Sequence, residues 1–204
     1  AKRPFKISGM LKTRRLVLAL AMTVAMAGVA QAAKCSNTEG GYEAWKPAMA
    51  AQAKAAGIKA KGIAALMATS YSTGTIRADR NQKSFKLSLN AFMAKRGAAG
   101  IISRGRSLKK ANAALFANIQ KRYGVSAGPL LAIWGMETGF GGFTGSQPTV
   151  SAIATLAYDC RRSGFFTEQR MVALRLVNRG VISASTRGAM KGEVGQRQFL
   201  PENG

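Results

Sequence analysis

The sequence predicts a mainly α-helical fold. Three observations carry that reading: apolar residues recur at helical spacing through several segments, alternating strand patterns are scarce, and Gly, Ser and Pro fall where helices would stop and start. No internal repeat or low-complexity linker interrupts the pattern.

Glu43 to Met67 is alanine-rich with breaks at Gly57 and Gly62, and reads as two short helices. Ser70 to Ser84, SYSTGTIRADRNQKS, is polar and turn-like. Phe85, Leu89, Phe92 and Met93 then fall at i, i+4, i+7 and i+8, the signature of an amphipathic helix. Leu108 to Tyr123 repeats the pattern through Leu108, Ala111, Leu115, Ile119 and Arg122. Gly124 ends that helix, and Ser126 with Pro129 opens the next, which runs from about Gly128. Ala152 to Ala157 and Phe165 to Val177 are helical too. The last residues, Pro201-Glu202-Asn203-Gly204, read as a turn, and the stretch before them has nothing after it to pack against. A fragment is expected.

The 204 residues, 47% hydrophobic, suffice for one sizeable core and a small second lobe. Lys and Arg number 31 against eight Asp and Glu, a net +23 that predicts attraction to polyanions: nucleic acid, anionic lipid or an acidic wall polymer. The chain has no histidine, which excludes Ser-His-Asp and Cys-His catalysis, and two cysteines exclude a Cys-rich zinc site. No D-x-D-x-D-G loop indicates calcium, and no metal or cofactor is expected. The basic residues are spread along the chain and the aromatics are few, so no nucleic-acid stacking platform stands out.

Residues 1–33 read as a leader and signal peptide. Lys12, Arg14 and Arg15 precede an uncharged apolar run from Leu16 to Ala30, and small residues at Ala30, Ala32 and Ala33 mark cleavage. An uncleaved anchor is the alternative, but the run is short for a membrane span. Cleavage leaves 25 cations against eight acids, a net +17. Export demotes nucleic acid as a partner. Lys34 stands before Cys35 where a lipoprotein signal wants a small residue, so lipid attachment is not expected. In an oxidising compartment Cys35 and Cys160 either form one bridge or stay as two thiols.

LLAIWGMETGFGG, Leu130 to Gly142, ends an apolar helix on Glu137. Leu130, Ile133, Trp134 and Glu137 share one stripe, so partial desolvation and the negative helix end should both raise the carboxyl's pKa. A carboxylic acid still protonated near neutrality can protonate a leaving oxygen. The glycines that follow let backbone approach a ligand and give Phe140 a turn to sit on. A frayed surface glutamate, or one paired with a cation, is the alternative. Asp79, Asp159 and Glu168 each have an arginine within two residues and read as ion pairs, and Glu193 lies in a glycine-flanked loop.

YGVSAGPLLAIWGMETGFG, Tyr123 to Gly141, closely resembles the motif of the B-type lytic murein transglycosylases. The resemblance continues through TVSAIATLAYDCRRSGFF, Thr149 to Phe166, and GEVGQRQFLP, Gly192 to Pro201, with DRNQKSF and RGRSLKKANAAL upstream. It implies a lysozyme-like helical catalytic domain, truncated at its C-terminal side. Residues 34–122 would then be its N-terminal helical part, and 123–204 an incomplete core. It further implies a peptidoglycan lytic transglycosylase of the Gram-negative periplasm. Such an enzyme cleaves the β-1,4 bond between N-acetylmuramic acid and N-acetylglucosamine, leaving a 1,6-anhydro end. Glu137 matches the catalytic glutamate and Gln198 the glutamine lining the sugar cleft, with Gln196, Phe199 and Phe140 as further substrate-binding candidates.

The sequence departs from the family at Gly139, usually Asn or Asp, and at Met190 and Lys191, positions often aromatic and small. The family's domain also continues past QFLP. Partners expected are peptidoglycan glycan strands, plus an anionic wall or membrane surface by charge. The rival from another class is a non-catalytic wall-binding protein.

Overall fold

The computed structural model describes residues 35–81 and 86–203. The signal segment expected over 1–33, and Phe85 of the predicted amphipathic helix, lie outside them. The order is α1 (Tyr42–Ala55), α2 (Ala60–Met67), α3 (Thr73–Arg80), α4 (Leu89–Lys95), α5 (Ala98–Ala111), α6 (Ala113–Tyr123) and α7 (Ala127–Thr138), then β1 (Gln147–Pro148), α8 (Thr149–Tyr158), α9 (Ser163–Arg179), β2 (Arg187–Gly188) and a 3-10 turn, Pro201–Asn203. The strands pair antiparallel, Gln147 opposite Gly188. The class is mainly α, as the periodicity predicts.

α8 fixes where the core sits. Nine of its ten residues are buried, and a helix apolar on all sides is stable only when enclosed. α1, α2 and α9 enclose it through Tyr42, Trp45, Leu66, Leu174 and Val177, which cluster with Ile153 and Leu156. Burying each large side chain contributes roughly 1.5–3 kcal/mol. The core therefore draws on residues from both sides of position 122. A smaller cluster joins Ala127, Leu131 and Phe140 to Ile101, Leu108, Phe116 and Trp134. The helices α4 to α6 bury only Gly105, leaving Leu89 74% and Leu115 54% exposed.

Several local expectations are corrected. The polar Ser70–Ser84 stretch contains α3: the Ser72 hydroxyl caps it by accepting from the Thr75 N–H at 3.1 Å, an N-cap bond that outweighs the scarcity of apolar residues. The helix predicted over Leu108–Tyr123 is interrupted at Asn112, whose side-chain amide donates to the Leu108 carbonyl at 3.0 Å. Gly62 lies inside α2, where a Cβ would come within 2.9 Å of the Leu174 carbonyl oxygen, so it serves helix packing rather than termination. The C-terminal stretch packs back on earlier residues: Leu200 lies against the core, and Glu202 accepts from the Gln169 amide at 2.6 Å.

A disulfide joins Cys35 to Cys160, and the Ser36 N–H donates to the Tyr158 carbonyl at 3.0 Å beside it. Asp79 and Asp159 are ion-paired, but across the fold rather than with their chain neighbours. Arg161 and Arg162 bind Asp79, and Arg80 binds Asp159. Burial would raise the Asp79 pKa, yet hydrogen bonds from the two guanidinium groups outweigh it and hold the carboxyl below its ordinary range. Glu168 is exposed and has no cation within ion-pair distance among the described residues.

Candidate active site

Helix α7 carries Glu137 on its last turn, and the sequence dictates the stop. Gly139, Phe140 and Gly141 follow with φ of 58°, 61° and 83°, so three consecutive residues are left-handed. The Gly139 N–H donates to the Gly135 carbonyl and the Phe140 N–H to the Trp134 carbonyl, satisfying the helix end. Gly139 replaces the family's usual Asn or Asp at a left-handed position, which those two residues also tolerate.

The α7 stripe is rotated from the expected one. Its buried face is Ala127, Leu131, Gly135 and Thr138. Ile133 is 44% exposed and the Glu137 carboxyl faces solvent, so the desolvation expected of it is not supplied by this chain. Gly135 explains the rotation, because a Cβ there would lie 2.5 Å from Ile101 Cγ2 and 2.8 Å from Phe140 Cζ. Only that face can press against α5. The negative helix end is also countered: the Arg96 guanidinium donates to the carbonyl of Met136, one residue before Glu137.

The loop Ala189–Phe199 is held against this helix end. The Thr138 hydroxyl donates to the Gln196 backbone carbonyl at 2.8 Å and accepts from the Gly141 N–H at 3.0 Å. Trp134 Nε1 donates to Gln196 Oε1 at 2.7 Å. Gln198 has φ 53°, and its amide nitrogen donates to the carbonyls of Gly195 at 2.8 Å and Thr144 at 3.1 Å. Val194 and Phe199 close the loop through paired backbone bonds, leaving Phe199 38% exposed beneath the Arg197 guanidinium. Glu193 is turned back into the loop, accepting from the Lys191 N–H at 3.1 Å with Lys191 Nζ at 3.7 Å.

The predicted site residues therefore divide. Gln196 is tied directly to the helix end that carries Glu137, and Gln198 and Phe199 belong to the same short loop. Phe140 is 7% exposed, with its ring packed edge-to-face against Trp134. The positioning roles of Thr138, Trp134 and Arg96 emerge only from the fold. The stretch YGVSAGPLLAIWGMETGFG contains Trp134 and Thr138 but gives them no role, and nothing local marks Arg96, 40 residues before Met136. Among the described residues no three His, Cys, Asp or Glu come together as a metal set.

The fold that carries this site is similar to that of solved structures. SltB3 from Pseudomonas aeruginosa, in complex with NAG-NAM-pentapeptide, aligns with a TM-score of 0.68 at 30% identity, covering 79% of this chain and 44% of its own. Soluble lytic transglycosylase SltB1 from the same organism aligns with 0.62 at 23%, over 77% of this chain and 54% of its own. Escherichia coli lytic transglycosylase Slt35, in complex with calcium, gives 0.62 at 20%, over 76% and 52%. The lysozyme-like helical fold is the one shared with these neighbours, of whose length the chain spans about half. No curated protein matches the chain. Residues 41–204 match the family described as the transglycosylase SLT domain, a match over most of the chain. The chain belongs to that family.

Proposed function

We propose that this protein is an exported peptidoglycan lytic transglycosylase in which Glu137 is the single acid and base. One observation carries the reading: a solvent-open carboxyl ends α7, and that helix end is hydrogen-bonded to the loop bearing Gln196 and Gln198. The ligand of SltB3 and the family membership support a glycan substrate.

Two-carboxylate hydrolysis needs a second acid facing the first. Here the obvious candidate, Glu193, is engaged by Lys191, and Asp79 and Asp159 by arginines. A lytic route needs one. Protonated Glu137 gives its proton to the glycosidic oxygen as the bond to the muramic acid anomeric carbon breaks. The resulting carboxylate takes the proton of the same sugar's 6-hydroxyl as that oxygen bonds to the anomeric carbon, closing a 1,6-anhydro ring. The 2-acetamido group shelters the positive centre. A sugar seated over Glu137 excludes water from the carboxyl during the transfer. No acidic residue occurs between Asp79 and Glu137, and this cationic run favours retention on an anionic envelope surface. The envelope of a Gram-negative bacterium, with the signal segment at 1–33, is the corresponding location.

The exposure of Glu137 favours a second reading, wall binding without cleavage. Glu137→Gln decides between them. Digestion of sacculi should vanish while cosedimentation persists, and the wild-type product should be lighter by one water than a hydrolysed end. Digestion surviving the change removes Glu137 as the acid; no digestion by wild type leaves wall binding.

A further inference from the structure

Cys35 and Cys160 are both exposed, so the bridge between them lies at the surface and not inside the core. An open recess of about 540 Å³ meets it, lined among the described residues by Asn37, Arg80, Cys160 and Arg161. Cys35 is not part of that lining, and neither is any acid. The recess therefore presents one sulfur of the bridge between two guanidinium groups.

The cations are fixed there by the residues beneath. Asp79 and Asp159 have side chains 2% exposed, whereas those of Arg80 and Arg161 are 41% and 43% exposed. Arg161 Nε donates to Asp79 Oδ2 at 2.7 Å, its Nη2 to the Asp79 carbonyl at 3.0 Å, and its backbone N–H to Asp159 Oδ1 at 3.0 Å. Arg80 reaches Asp159 through Nη2, and Arg162 also binds Asp79. Three guanidinium groups thus share two carboxylates. The negative charge points inward, and the surplus positive charge points out beside Cys160. Arg80 Nε and Nη1 and Arg161 Nη1 keep free donors among the described residues.

The other end of the bridge is lightly held. Besides the disulfide, residues 35–38 reach the rest of the described fold through one hydrogen bond, from the Ser36 N–H to the Tyr158 carbonyl at 3.0 Å. Cys35 is free to move away once its bond to Cys160 opens.

We propose that this recess is a site of thiol–disulfide exchange with a small thiol that carries carboxylates, and that Cys160 is the residue it modifies. The sulfur of the incoming thiolate bonds to Cys160 Sγ as the Cys35–Cys160 bond breaks. The electron pair of that bond leaves on Cys35 Sγ, and the new thiolate takes a proton from water. One disulfide replaces another, so no external oxidant or reductant is consumed. Arg80 and Arg161 hold the carboxylates of the thiol and raise its local concentration at Cys160. The inference is independent of any role for Glu137.

The test treats the full, bridged chain with reduced glutathione, which carries carboxylates, with uncharged 2-mercaptoethanol and with cationic cysteamine. Reactions are quenched with acid and mapped by peptide mass. Each rate per thiolate is divided by the same thiol's rate on a small uncharged disulfide, which removes intrinsic reactivity. Glutathione should add its mass at Cys160 and outpace cysteamine about tenfold or more at low ionic strength, with 2-mercaptoethanol between them. The preference should fade in ~1 M salt, where charges are screened beyond about 3 Å. Cys35→Ser leaves a lone thiol lining the recess and should keep the preference towards the oxidised forms of the three thiols. Cys160→Ser leaves its thiol outside the recess and should lose it. Mass added at Cys35 in place of Cys160 overturns the site, as do equal normalised rates for the three thiols. A bridge that resists all three until the protein unfolds overturns it too.

Discussion

Thr138 and Gln196, 58 residues apart, are joined by a 2.8 Å hydrogen bond from a side-chain hydroxyl to a backbone carbonyl. The same oxygen accepts from the Gly141 N–H, so one buried hydroxyl fixes both the turn after Glu137 and the loop bearing Gln198. Thr138→Val keeps the shape and strands both backbone groups. Destabilisation of about 1–3 kcal/mol is expected, with a larger proportional loss of sacculus digestion than of folded protein. Thr138→Ser should restore both. Digestion by Thr138→Val at the wild-type rate per folded molecule would remove Thr138 from the positioning of the site.

Much of this was legible in the chain, for physical reasons that differ by residue. The α7 stop was readable because Gly139 and Gly141 carry backbone conformations that few other residues adopt. α8 and α9 were readable from apolar periodicity. The rotation of α7 was not, because every candidate stripe on that helix is apolar and only the close approach of Ile101 to Gly135 selects the buried one. Nor were the partners of Asp79, since local sequence offers Arg77 and Arg80 while the fold delivers Arg161 and Arg162. Long-range pairing has no signature in spacing. Helix α3 has no apolar signature in the sequence, because it is held by a cap and by buried Asp79.

Asp79 predicts an acid-sensitive contribution to stability. Its folded pKa lies below the ordinary 3.8, so the contribution is fully present above about pH 4 and is lost as pH falls through the folded value. Asp79→Asn removes it at every pH. At pH 7 the variant should be less stable by about 1–2 kcal/mol in urea unfolding, since the two guanidinium groups left short of a partner are 43% and 38% exposed and partly screened by water. The gap should narrow towards pH 3. A gap of constant size across that range would mean that Asp79 is not held ionised by Arg161 and Arg162.

The buried guanidinium of Arg170 has the opposite sign. Its Nη2 donates to Gln52 Oε1 at 3.0 Å and the group lies 5.3 Å from the Trp45 ring centre, but burial pulls its pKa down to about 10. Folding therefore disfavours the charged form, and wild-type stability should gain as pH rises through about 10. Arg170→Met, close in volume, should change stability at pH 7 by no more than about 1 kcal/mol, the lost contacts offsetting the removed desolvation cost. It should also abolish the alkaline gain. Thermal melts at pH 7 and 10.5 would show it, and an equal alkaline gain in the variant would place its source elsewhere.

Backbone contact at the ribbon makes Gly188 intolerant of any side chain. A Cβ at Gly188 would stand 2.1 Å from the Glu193 carbonyl oxygen and 2.9 Å from Thr149 Oγ1, and the Glu193 carbonyl already accepts from the Ala189 N–H at 2.8 Å. Neither the carbonyl nor the ladder partner Gln147 can withdraw without breaking the turn that carries Gln196 and Gln198. Gly188→Ala should cost about 3 kcal/mol or more, lowering the melting temperature by roughly 6–12 °C. The folded fraction should also lose sacculus digestion, because the displaced segment is the one that faces Glu137. Ala substituted at Gly164, where a Cβ meets nothing within 4 Å, is the matched control and should do neither. If both variants melt alike, the close packing of the ribbon against the Glu193 turn is not what holds the loop in place.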